Sequence, residues 1–268
     1  MPMIETGSGA IHYDVCDAVP AWVENPEAII FHHGIAANIH IWADWMPVLA
    51  TRYRLIRFDM RGFGQSVKPL RGYRWSFDGL VNDLLKVADA ATAKRFHLVG
   101  ESIGGTAALA CALSSSRRLL SVTLSNAAAR GGLVSNVQGW RDVVAKDKQT
   151  GWAKVLMDSR FHPGALDPVV YDWYLKLHET CSIEATLGLA DLLLETDLTP
   201  RLGEIKLPVL LLCPQSSPFV PPQVMADMHK AISESELQVF PDAKHGLPLS
   251  HGRACAEALR AFLARRCG

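Results

Sequence analysis

A serine between glycines, a histidine in a late loop and a glycine-bearing loop after an early strand give this chain the groups needed for acyl transfer. The run Gly100-Glu101-Ser102-Ile103-Gly104 follows the apolar stretch Arg95-Phe96-His97-Leu98-Val99 and precedes the small, helix-forming residues Gly105 to Leu113. A serine at such a junction sits on a tight strand-to-helix turn, with its hydroxyl raised above the sheet. The glycines make room where a side chain would strike the neighbouring strand and helix. The helix that begins there points unpaired N–H groups at negative charge forming nearby. The pattern predicts nucleophilic acyl transfer on Ser102. The alternative is a chance Gly-x-Ser-x-Gly in a loop.

A serine hydroxyl is a poor nucleophile until a base takes its proton. Of the ten histidines, His245 in Pro241-Asp242-Ala243-Lys244-His245-Gly246 lies between the last predicted strand and the last predicted helix. It falls at the sheet edge that carries Ser102, and is the predicted base. The oxyanion formed by attack needs backbone N–H donors. Ile103 supplies one, and the loop His32-His33-Gly34-Ile35-Ala36-Ala37 the other, from Ile35 with Gly34 as the fallback. His32 and His33 read as structural. The turn-rich loop Asp59 to Ser66 reads as scaffold, fixed by internal hydrogen bonds and an Asp–Arg pair.

These groups need elements to hold them. Strands are predicted at 10–15, 28–32, 54–58, 95–99, 121–125, 209–213 and 237–240, from their β-rich composition and their glycine- or aspartate-bearing ends. Helices are predicted at 77–91, with Phe77, Leu80, Val81, Leu84, Leu85 and Ala88 on one face, and at 251–265. Alternating strands and helices predict an α/β fold with a mostly parallel sheet covered on both faces. Residues 131–203 break the alternation with helical patterns at 152–157, 168–177 and 183–194. They read as a helical cap inserted into a core made of residues 1–130 and 204–268, over the strand ends where ligands bind. Of the aromatics there (Trp140, Trp152, Tyr171, Trp173, Tyr174), one or two are expected to touch substrate, Trp140 among them.

Composition narrows the partners. The chain has 268 residues, and Lys+Arg and Asp+Glu are both 27, so no basic stripe invites nucleic acid. No apolar run reaches membrane-spanning length, and the N-terminal residues lack a signal-peptide pattern. The six cysteines are scattered, with no metal-ligand spacing and no disulfide framework expected. The expectation is a cytoplasmic protein with no metal, no organic cofactor, no nucleic acid and no membrane partner. Its partner is a small-molecule substrate, and homo-oligomerisation is left open.

Taken together, His33-Gly34, the Asp59–Ser66 loop, Gly100–Gly104 and His245-Gly246, in that order, resemble the α/β-hydrolase superfamily. Phe58-Asp59-Met60-Arg61-Gly62, the stretch Leu124 to Arg130, and Asp191 to Leu198 leading to Pro208 are similar to β-ketoadipate enol-lactone hydrolases and related carboxylesterases. The resemblance implies a serine hydrolase of small esters or lactones. It also exposes a departure. Where the family carries its triad acid, this chain has Ser217, in Cys213-Pro214-Gln215-Ser216-Ser217-Pro218. The other site that some members use holds Asn126.

Three readings follow. Ser217 orients His245 in a Ser-His-Ser arrangement; a carboxylate elsewhere substitutes, Asp242 or Glu101; or hydrolysis is vestigial. The first is preferred, since the other groups survive. A non-hydrolytic enzyme on this scaffold, such as a lyase or perhydrolase, and a catalytically weak ligand-binding protein are the alternatives. If the substrate carries a carboxylate, Arg130 and Arg160 are candidates to meet it, each more simply read as solvated surface.

Overall fold

The structure, a computed structural model, describes residues 2–135, 137 and 139–267. Eight strands form one sheet: β1 (Met3–Thr6), β2 (Gly9–Cys16), β3 (Ala28–His32), β4 (Arg54–Phe58), β5 (Phe96–Glu101), β6 (Leu119–Ser125), β7 (Val209–Pro214) and β8 (Ser235–Phe240). Their order is β1-β2-β4-β3-β5-β6-β7-β8, and all pairings are parallel except those made by β2. The helices are α1 (Met46–Leu49), α2 (Phe77–Ala90), α3 (Ile103–Ser114), α4 (Trp140–Arg160), α5 (Pro168–Thr180), α6 (Ile183–Glu195), α7 (Pro222–Ala231), α8 (Leu247–Ser250) and α9 (Gly252–Arg266). None is long and apolar enough to cross a membrane.

The central strands are apolar on both faces, as a sheet sandwiched between helix layers requires. Ile30, Ile56, Leu98, Val122 and Leu211 point into one apolar cluster, with Leu84 and Val87 of α2 and Ala107 and Cys111 of α3. Ile29, Phe31, Leu55, Val99 and Leu212 point into the other, with Trp42, Trp45, and Leu259 and Phe262 of α9. The strands at 28–32 and 54–58 have the predicted limits, and the helix predicted at 77–91 spans 77–90. Ser76 starts that helix by accepting the Gly79 N–H at 3.1 Å.

Strand order reverses direction at β3 and β5, so the loops leaving their C-terminal ends diverge and open a crevice. The loop after β3 and the turn carrying Ser102 therefore meet at this edge. Between β6 and β7, the described residues form α4, α5 and α6 and no strand. This segment has no core of its own. Trp140, Trp152, Leu156 and Leu189 join the first cluster, and Met157, Phe161 and Tyr174 the second.

The loop at 59–66 is indeed held by internal hydrogen bonds, but its charges pair differently from expectation. The Asp59 carboxylate accepts the N–H groups of Ile39 and Gln65, each at 2.9 Å, and meets His12 Nδ1 at 2.7 Å. Met60 N–H donates to His33 Nε2 at 2.8 Å. The loop thereby braces residues 33–39, which carry the predicted oxyanion donor. Arg61 pairs instead with Asp83 of α2, through Nε at 2.9 Å and Nη2 at 2.8 Å, both partners buried. Removing one partner of such a pair strands a charge in the core. Arg61→Ala is expected to cost about 3–5 kcal/mol in urea unfolding. A loss under about 1 kcal/mol, the range of exposed pairs, would show that Asp83 finds another partner.

Candidate active site

Ser102 occupies the turn between β5 and α3 with φ 55° and ψ −124°, a strained conformation for a residue with a side chain. The turn closes because a Cβ at Gly100 would overlap the Gly104 carbonyl, and one at Gly104 would overlap the His32 carbonyl. His245 Nε2 lies 3.1 Å from Ser102 Oγ. On the other side of the ring, Ser217 Oγ lies 3.0 Å from Nδ1, and it also accepts the Val220 N–H at 3.1 Å. Phe219 packs edge-on to the imidazole with centroids 4.9 Å apart. The Asn126 side-chain amide donates to the His245 carbonyl.

The residues proposed from sequence fall into two groups. Ser102, His245, Ile35, Trp140 and Arg160 line one cavity, closed further by Thr106, Asn126, Val134, Val137, Leu193, Phe219 and Val220. Ser217 stands just behind His245, and Ile103 is fully buried at the start of α3. Gly34 lies against the turn, where a Cβ would overlap Glu101 Oε2 and come within 2.9 Å of Ser102 Cβ. Of the five aromatics named from sequence in residues 131–203, Trp140 alone is among the lining residues, T-stacked on Trp152 and Phe219.

Arg130 and Asp242 lie elsewhere. Arg130 is half-exposed, pairs with Asp197 at 3.5 Å and borders a different groove. Asp242 is exposed and its charge acts on His251, so the group at Nδ1 is Ser217. Arg160, read as solvated surface, is 2% exposed, because its partners lie inside. Its guanidinium donates to Glu101 Oε1 at 3.2 Å and to the Ile35 carbonyl at 3.0 Å. Glu101 Oε1 is in turn 3.9 Å from His245 Nε2.

Burial sets the electrostatics. It lowers the His245 pKa well below 6.5, and the nearby Arg160 cation lowers it further. Burial raises the Glu101 pKa, opposed by Arg160. His32 and His178 are pushed down to about 3, chiefly by burial, so both are neutral members of the fold. The cavity is small, about 20 Å³, room for one water. Phe219 had no sequence signal as a neighbour of His245 and reaches it from the loop after β7, whereas Asn126, at the second position where the family can carry an acid, meets the His245 carbonyl and not its ring.

A model of the α/β hydrolase fold matches residues 27–251. The chain belongs to the α/β-hydrolase family. Among curated relatives, 3-oxoadipate enol-lactonase 2 of Acinetobacter baylyi is 25% identical over 240 residues, 89% of each chain. A protein of Caulobacter segnis named as a carbamate hydrolase is 34% identical over 113 residues, 42% of each chain, so this chain spans under half of that relative. The crystal structure of an enol-lactonase from Burkholderia xenovorans superimposes with a TM-score of 0.86 at 21% identity, covering 98% of this chain and 100% of that one. The expected fold and family resemblance both hold.

A base must be neutral to accept a proton, and a lowered pKa keeps it neutral to lower pH. The acid limb of kcat/KM in this α/β hydrolase is therefore expected well below pH 6.5. A pH–rate series against a neutral ester checks it, and an acid limb at or above pH 7 contradicts the burial argument.

Proposed function

We propose that the chain hydrolyses small carboxylic esters or lactones through an acyl-enzyme on Ser102, with residues 131–203 as its cap. The observation that carries this reading is the unbroken hydrogen-bonded run Ser102–His245–Ser217, at 3.1 and 3.0 Å, beside a largely apolar pocket. Ser102 Oγ attacks the carbonyl as His245 Nε2 takes its proton. The N–H groups of Ile103 and Ile35, with Gly34 the neighbouring alternative, hold the oxyanion. His245 then returns the proton to the leaving alkoxide, which in a lactone stays tethered to the acyl group. Water, activated by the same histidine, releases the acid.

The relatives named as enol-lactonases favour a lactone or a short ester. The apolar side chains of Val134, Val137, Leu193, Phe219 and Val220 beside Ser102 support an uncharged acyl group. The six free cysteines suit a reducing, cytoplasmic location. A chromogenic short-chain ester is expected to be turned over by the wild type and not by Ser102→Ala. Turnover unchanged by that substitution, with no labelling of Ser102 by a serine-reactive phosphonate, removes the reading.

Ser217 is the third member on this proposal, neutral where the family carries a carboxylate. It can hold the ring but cannot stabilise the imidazolium by charge. Ser217→Asp adds an acceptor that bears charge, at the spot where Nδ1 and the Val220 N–H already converge. We expect kcat to rise by about tenfold or more, against a scale of about 10⁴ for removing such an acid elsewhere. The acid limb should move up in pH, because an adjacent anion favours the charged ring. A fall in kcat with a folded protein would show that Ser217 does not occupy the acid position.

A further inference from the structure

Arg160, the last residue of α4, is bonded to all three loops that carry the proposed catalytic groups. Its guanidinium reaches Glu101, the residue before Ser102, and the carbonyl of Ile35 in the oxyanion loop. Its own carbonyl accepts the N–H of Gly246, the residue after His245, at 2.9 Å. The neighbouring residues strengthen that last joint. Lys244 Nζ donates to the Asp158 carbonyl at 2.7 Å, and the Phe161 ring fills the space that a Cβ at Gly246 would need. The Tyr174 ring lies under the guanidinium, 5.8 Å from centroid to Cζ.

The chemistry of the group matters here. A guanidinium is a rigid planar fork, so one that donates to acceptors on two loops also fixes the distance between them. His245 needs such fixing more than most triad histidines. Its Nδ1 faces a neutral hydroxyl rather than a charge-assisted acceptor, which leaves ring placement to its loop. That loop is tied by the Asn126 amide on one side and by Arg160 on the other. Misplacing a catalytic group by about 1 Å can cost about 100-fold in rate.

We propose that Arg160 is a positioning residue which clamps the Ser102 turn, the oxyanion loop and the His245 loop into one register, so that seating the cap and assembling the site are a single event. The proposal rests on the serine-hydrolase reading above. It differs from a role in gripping an anionic substrate, which would act on binding alone.

The test is the rate at which a small neutral p-nitrophenyl phosphonate ester labels Ser102, a reaction that needs nucleophile, base and oxyanion donors but no anion site. Arg160→Met combined with Glu101→Gln removes both charges together and so leaves no buried carboxylate unpaired. This double variant is expected to keep a cooperative melt and native near-UV dichroism, while labelling about 100-fold more slowly. Arg160→Lys keeps a charge against Glu101 but loses the fork, and should also label slowly. Added guanidinium should recover part of the Arg160→Ala rate, while ammonium at the same concentration should not.

Labelling at the wild-type rate in the folded double variant, with KM raised only for anionic esters, overturns the proposal in favour of a substrate contact. Should the double variant not fold, a wild-type labelling rate in Arg160→Lys overturns it equally. Failure of the wild type itself to label at Ser102 is a different result: it removes the hydrolase reading, and the positioning role with it.

Discussion

A carboxylate 1% exposed at the end of a central strand imposes itself on everything nearby, and Glu101 is such a group. Left alone in the interior it would take up a proton rather than stay charged. Arg160 supplies the opposing charge, and to do so the C-terminal end of α4 must come down onto the Ser102 turn. The same carboxylate leaves no space for a side chain at Gly34, which lets the loop after β3 lie against Ser102. The second arm of the guanidinium then takes the Ile35 carbonyl. Replacing a buried ion pair with apolar residues is often neutral or stabilising. A contribution to stability is thus weak ground for the pair, and its place between three loops is the ground for the positioning role proposed above.

The pair also shapes the environment of His245. Burial and the Arg160 cation both act on His245 in the same direction, toward the neutral ring. In a triad with an aspartate, the anion at Nδ1 opposes these effects and strengthens the base. Here the group at Nδ1 is Ser217, and the nearest carboxylate oxygen is Glu101 Oε1 on the Nε2 side, already engaged by Arg160. The arrangement keeps its geometry while surrendering basicity. On the proposed mechanism, a neutral ring whose proton lies on Nδ1 can accept another at Nε2 over a wide pH range, but its imidazolium is less stabilised once formed.

Much of the scaffold was legible because it is local. The β-rich runs at 28–32 and 54–58, each ending at a glycine- or aspartate-bearing loop, read as strands, and the period of Leu80, Val81, Leu84 and Ala88 reads as a helix facing the sheet. The strand at 3–6 escaped because it is a short, half-exposed edge, and α7 because it begins at Pro221-Pro222 and reads as loop. The first half of α4 is rich in lysine and aspartate and shows no apolar stripe. Ser102 and His245 were legible from their positions between elements. The partners of charge were not. Arg61 finds Asp83 22 residues away and Arg160 finds Glu101 59 residues away, distances over which only the folded chain decides. Burial of Arg160 follows from its partner, and a sequence read one residue at a time assigns an arginine to the surface.

Ser217 differs from an aspartate in a second respect besides charge. A carboxylate can only accept a hydrogen bond from Nδ1–H, so it leaves Nε2 free to take a proton. A hydroxyl can accept or donate. The Val220 N–H already donates to Ser217 Oγ, so two arrangements of the remaining bond compete. If Nδ1–H donates to Oγ, the ring is a competent base toward Ser102. If Oγ–H donates to Nδ1, the ring proton sits on Nε2, facing Ser102 Oγ and the Glu101 carboxylate, and the ring cannot act as a base. On the proposed mechanism, the orientation of a single hydroxyl thus sets the fraction of molecules ready to react, and apparent turnover scales with that fraction. On that mechanism the ring proton must rest on Nδ1, donated to Ser217 Oγ, before His245 can take a proton from Ser102.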